Sequence, residues 1–218
     1  MIKLCVFDLD GTLIDSVPDL TNSINFALKQ NKLPVRKREE IACNMGKGLT
    51  NLVKTAIPTE VFSEELLESL KAVVVDHYSS HCTDETTLYE GIFETLQQLA
   101  LGGIKNAIIT NKPHMFLDRI MKDLFSGLSF SRIIGAGEFP NKPDPASLYT
   151  LMNDTGVRND ECLYVGDTDI DIQTAINAGV ISVGVSWGYQ SAERLKNAGA
   201  DYVINKPQEL LEIVKSHD

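Results

Sequence analysis

Two carboxylates set one residue apart, Asp8 and Asp10, close a short apolar run from Leu4 to Phe7. Gly11 follows, so the run reads as a buried strand that stops at a turn. Side chains alternate along a strand, so both acids leave on one face of its carboxyl end. Two like charges that close repel, and a packed core offers nothing to offset them. The usual remedy is a hard cation with oxygen ligands, Mg²⁺ above all. Taken alone, such a pair is equally a solvated strand end. The same logic recurs at Val165-Gly166-Asp167-Thr168-Asp169-Ile170-Asp171: an apolar strand, a glycine, then clustered acids. Helix capping accounts for Thr168 or Asp169. Three acids in five residues exceed what capping needs.

Two further positions carry groups suited to an anion. Ile108-Ile109-Thr110-Asn111-Lys112-Pro113 ends an apolar strand in a hydroxyl, and a fresh turn after it would add backbone N–H donors for a phosphate oxygen. Read alone, it is also an ordinary Thr/Asn turn. Lys142 lies in Pro140-Asn141-Lys142-Pro143-Asp144-Pro145, where prolines on both sides restrict the backbone and hold the lysine in place. An ammonium beside a carboxylate lowers its pKa and balances the charge of a bound anion. The other reading is a solvated loop lysine.

The elements that must position these residues alternate. Strands read at Leu4 to Phe7, Ile104 to Thr110, Arg132 to Gly135, Cys162 to Val165, Ile181 to Val185 and Tyr202 to Ile204. Helices stand between them, including one from Pro145 to Thr155 with Asp144 as N-cap. Such alternation predicts an α/β fold, a Rossmann-like doubly wound parallel sheet whose ligands bind beyond the carboxyl ends of the strands. From Val17 to about Ser80 the pattern is helical throughout, with no strand. This block reads as an inserted α-helical cap domain, residues 16–87, over a core built from 1–15 and 88–218. Within it Gly46-Lys47-Gly48 would let a loop approach the site and present one cation; a flexible connection with a solvated lysine is the other reading.

The chain has 218 residues, a net charge of -10 and 43% hydrophobic residues, as an ordinary globular protein does. The acidic balance argues against nucleic acid and anionic membranes as partners. No apolar stretch is long enough to span a bilayer. Cys5, Cys43, Cys82 and Cys162 lie far apart without a metal-binding spacing, and the chain enters its first strand at once. A reducing, cytoplasmic setting without a signal peptide is therefore expected.

Phe7-Asp8-Leu9-Asp10-Gly11-Thr12-Leu13 resembles the signature of the haloacid dehalogenase-like superfamily of aspartate-nucleophile phosphohydrolases. The sites at Thr110, Lys142 and Asp167 to Asp171 resemble the remaining motifs of that family, in the same order. Thr110-Asn111-Lys112 and Trp187-Gly188-Tyr189 are similar to its phosphoglycolate-phosphatase branch. The resemblance implies Asp8 as nucleophile and Asp10 as general acid/base. It implies Thr110, Asn111 and Lys142 on the substrate, and Asp8, the Asp10 carbonyl, Asp167 and Asp171 around Mg²⁺; Lys47 is expected on the substrate from its glycine-flanked loop alone. The implied reaction is hydrolysis of a small phosphomonoester, 2-phosphoglycolate as the best match, by a monomer or homodimer. Alternatives within reach are a phosphosugar mutase, a pyrophosphatase, a 2-haloacid dehalogenase and a non-enzymatic phospho-acceptor module.

Overall fold

The structure is a computed structural model that describes residues 1–217. The last residue of the expected core segment, 218, therefore lies outside the described residues. Among the described residues six strands form one parallel sheet: β1 (Leu4–Phe7), β4 (Lys105–Pro113), β5 (Ile133–Ala136), β6 (Cys162–Gly166), β7 (Ile181–Val185) and β8 (Tyr202–Ile204). Their order is β5-β4-β1-β6-β7-β8. The chain leaves β1 toward β4 on one side and returns to lay β6 on the other, so the strand order reverses at β1 and β6. The crevice at such a reversal is where open sheets of this kind hold ligands. Helices α5 (Ile92–Leu101), α6 (Leu117–Leu124), α7 (Ala146–Thr155), α8 (Asp169–Ala178), α9 (Ala192–Asn197) and α10 (Glu209–Ser216) cover the faces.

The β1 sequence shows why both faces need covering. Cys5 and Phe7 point into one apolar core, while Leu4 and Val6 point into a second on the opposite face. The first core continues into a helical block of α1 (Val17–Gln30), α2 (Arg38–Ala42), α3 (Leu49–Ala56) and α4 (Glu64–His81). α1 packs along α4. Ser63 starts α4 by accepting a hydrogen bond from the Leu66 amide, 3.1 Å.

Local details differ from expectation. One is a ladder that the strands read from the sequence did not include: β2 (Ile14–Asp15) pairs antiparallel with β3 (Thr87–Leu88), where the chain enters and leaves the block. A ladder of two residues is too short for periodicity to reveal. β4 does not turn at Thr110 but stays extended through Pro113. Helix α7 begins at Ala146, with Pro145 at the N-cap and the Asp144 carboxylate accepting from the Ala146 amide at 2.9 Å.

Candidate active site

The acids that close β1 stand at the sheet's reversal point. The Asp8 amide still donates to the Val165 carbonyl of β6 at 2.9 Å, which brings the two acidic strand ends side by side. Ligand oxygens of Asp8, Asp167 and Asp171 lie within 4.8 Å of one another, and all three residues are buried. One cation faces them. Lys142 Nζ lies 2.7 Å from Asp8 Oδ1 and 2.6 Å from Asp171 Oδ1. Its backbone is clamped by Asn111, whose Oδ1 accepts from the Lys142 amide at 2.9 Å and whose Nδ2 donates to the Lys142 carbonyl at 3.3 Å.

Three carboxylates against one ammonium leave the cluster two negative charges in excess. Burial pushes the Asp8 carboxyl up to about 7 against the pull of Lys142, with Asp171 adding to the rise. Asp167 also lies well above the usual carboxylate range, through burial first and then through Asp171 and Asp8. Burial works against the Lys142 charge, yet Asp171 and Asp8 outweigh it and hold that ammonium firmly protonated. An excess of two charges on hard oxygen donors is the environment a divalent metal ion fits.

Asp167 is aimed by residues from two loops, one after β1 and one after β7. Thr12 Oγ1 donates to its Oδ1 at 3.0 Å and the Tyr189 amide to its Oδ2 at 2.8 Å. Trp187 Nε1 in turn fixes the Thr12 carbonyl at 3.0 Å. Gly11, at φ +89°, and Gly188 come so close that an added Cβ at either would collide with Asp167. Trp187-Gly188-Tyr189 thus shapes the acidic cluster itself. Asp171 is held through both oxygens, one by Lys142 and the other by the amide and hydroxyl of Thr168 at 3.0 and 2.6 Å. Asp169 turns away to Gln190 and Arg194.

Asp10 lies beside the cluster with a different set of partners. Its Oδ1 accepts from Ser16 Oγ and, at 2.9 Å, from Lys112 Nζ. Lys112 is buried and also reaches Tyr78 Oη on α4 at 2.8 Å. The end of β4, where its pairing with β5 shifts register between Ile109 and Pro113, brings Thr110, Asn111 and Lys112 to the site together. The Lys112 amide donates to Thr110 Oγ1 at 3.2 Å, leaving that hydroxyl's proton free for an anion.

A cavity of about 40 Å³ opens among Asp8, Asp10, Thr110, Lys112 and Lys142, roofed by Met45, Gly46, Gly48 and Leu49 of the helical block. The structure brings Asp8, Asp10, Thr110, Lys142, Asp167 and Asp171 together. One expected substrate contact is placed otherwise: Lys47 is exposed and does not line the cavity, and the loop approaches with its glycines instead. Asn111 lines the cavity, and its side-chain amide donates to Gly46 O at 3.0 Å as well as clamping Lys142. Sequence reasoning missed Lys112, Tyr78, Ser16 and Thr12. Alternation from Thr110 would have flagged Lys112, had the strand been read two residues further.

The family model for haloacid dehalogenase-like hydrolases matches residues 5–185. A phosphoglycolate phosphatase of Vibrio parahaemolyticus is 36% identical over 219 residues, 98% of this chain and 96% of that protein. One of Pseudomonas savastanoi pv. phaseolicola is 35% identical over 214 residues, covering 96% of this chain and 78% of that protein. The crystal structure of a predicted phosphoglycolate phosphatase from Haemophilus somnus superposes with a TM-score of 0.90 at 31% identity, covering 97% of each chain.

Proposed function

The chain belongs to the haloacid dehalogenase-like hydrolases, and from that premise we propose that it hydrolyses 2-phosphoglycolate, or a phosphomonoester close to it in size, through an aspartyl-phosphate on Asp8. The names of the relatives support the substrate, and the small cavity supports a short leaving group. The observation that carries the reaction is the convergence of Asp8, Lys142 and Asp167 at the reversal of the sheet.

Asp8, the Asp10 carbonyl and Asp167 would hold Mg²⁺, with Asp171 supporting the site through Lys142; the ion supplies charge neutralisation and polarises a phosphoryl oxygen. Thr110 and Lys142 hold the remaining phosphoryl oxygens. Asp8 attacks phosphorus in line, and the bond to the ester oxygen breaks with its electron pair leaving on that oxygen. Asp10 protonates the leaving alkoxide. It then takes a proton from the water that attacks phosphorus, and the Asp8 carboxylate is regenerated. Lys142 keeps Asp8 anionic for attack while phosphate charge builds beside it.

Residues 16–87 act as a cap. The observed space is narrow, about 40 Å³, and lifting this block away widens it for entry of a phosphomonoester. Closure then excludes bulk water around the reacting atoms. The enzyme works on a free cytoplasmic metabolite as a monomer or homodimer. No helix among the described residues is long and apolar enough to cross a membrane.

The test is phosphate release from a panel of phosphorylated metabolites with Mg²⁺. We expect 2-phosphoglycolate to give the highest kcat/KM and EDTA to abolish turnover. Conversion of a hexose phosphate to its isomer without free phosphate would contradict the proposal, as would undiminished activity in EDTA.

A further inference from the structure

The buried ammonium of Lys112 takes no part in the steps above. It bridges two elements: Asp10 Oδ1 at 2.9 Å on the core side and Tyr78 Oη at 2.8 Å on α4 of the helical block. Its Nζ also stands 4.7 Å from the centre of the Tyr78 ring. Lysines are rarely buried without a partner, and this one has two. Ser16 Oγ donates to the same Asp10 oxygen as Lys112 does. Among the described residues no donor reaches Oδ2 of Asp10, and the residue lines the cavity. A carboxylate pinned through one oxygen cannot rotate freely, and its other oxygen remains open to the reacting space. Proton transfer in a transition state needs that combination of fixed orientation and an open oxygen.

We propose that Lys112 is a positioning residue, which together with Tyr78 holds Asp10 by Oδ1 so that Oδ2 meets the ester oxygen. This rests on the reading of Asp10 as the general acid/base. The protonated Oδ2 gives its proton to the ester oxygen as that oxygen takes the electron pair of its bond to phosphorus. In the second half Oδ2 accepts a proton from water as the water oxygen bonds to phosphorus. Lys112 keeps its protons throughout. Because Tyr78 belongs to the helical block, the block steadies the ammonium that holds the acid.

The test compares an alkyl phosphomonoester with p-nitrophenyl phosphate, whose leaving group departs without a proton. In Lys112→Met, kcat/KM for the alkyl ester is expected to fall about 100-fold, the scale of a lost general acid. For p-nitrophenyl phosphate kcat/KM stays within a few-fold, and a burst of p-nitrophenolate appears because water attack still needs Asp10. Tyr78→Phe, which keeps the ring, shows the same dependence on leaving group with a smaller loss, and carries the test if Lys112→Met does not fold. Equal losses on both esters with a lowered thermal midpoint would make Lys112 merely structural and overturn the inference. So would a KM rise confined to carboxylate-bearing esters with kcat unchanged, which would make Lys112 a reader of substrate. If Asp8→Asn and Asp10→Asn abolish turnover while both Lys112→Met and Tyr78→Phe behave as the unsubstituted chain, this inference falls and the proposed reaction stands. If Asp10→Asn remains fully active on the alkyl ester, both fall.

Discussion

Asp8 occupies a position where stability and reactivity oppose each other. Folding buries its carboxyl among Asp167 and Asp171, and its pKa rises to about 7. The unfolded value is about 3.9, so folding favours the neutral acid. That contribution is fully present below the unfolded pKa and is lost as pH rises through the folded one. An asparagine there never ionises. In EDTA, Asp8→Asn is therefore expected to melt above the unsubstituted chain near pH 8, with the margin narrowing as pH falls toward about 5. Thermal unfolding of both proteins across that range checks this, and a margin that grows on acidification contradicts it. Mg²⁺ narrows the margin at the alkaline end, because its positive charge favours the ionised carboxylate. Asp8, Asp10, Lys142, Asp167 and Asp171 were legible because acid pairs after apolar runs and a proline-framed lysine are local patterns. Lys112 and Tyr78 were not, because their pairing joins positions 34 residues apart through a contact that no periodicity encodes.

The elements aim these side chains through details of length. β4 runs three residues past the expected end at Thr110, and that extension carries Thr110, Asn111 and Lys112 to the cavity. Asn111 then ties the Gly46 carbonyl of the helical block to the loop that carries Lys142. The helix spacing of the block was readable from its apolar periodicity; the β2–β3 ladder at its base was not, being two residues long. Asp19 of α1 secures the same junction. Its carboxylate accepts from the Glu85 amide at 3.0 Å, the Thr86 amide at 2.9 Å and the Thr86 hydroxyl at 2.7 Å, the two Thr86 bonds being buried. Asp19→Ala leaves the buried Thr86 donors without a partner. A loss of about 2–3 kcal/mol in urea unfolding is expected, the usual cost of such orphaned groups. A change below about 0.5 kcal/mol, the level of an ordinary surface substitution, would show that the junction does not depend on this carboxylate.

At the scale of the whole molecule, a reversal of strand order does the assembling. Asp8 and Asp167 are far apart in the chain, yet parallel pairing of β1 with β6 places their strand ends together, and the β4 neighbour on the other side adds Thr110. Alternating strands and helices made that sheet legible in the sequence, and the uninterrupted helical stretch after β1 marked the block that roofs it. Where the block stands relative to the site depends on contacts such as Asn111 with Gly46 and Lys112 with Tyr78, which only three dimensions show. Every part of the account converges on one event, transfer of the phosphoryl group to the Asp8 carboxylate. The direct measurement is acid quenching during turnover of a ³²P-labelled phosphomonoester with Mg²⁺, followed by borohydride reduction and peptide mapping. The account predicts labelled phosphate on the peptide that contains residue 8 and, after reduction, homoserine at that position. Full-rate phosphate release with no label and no homoserine there would contradict it.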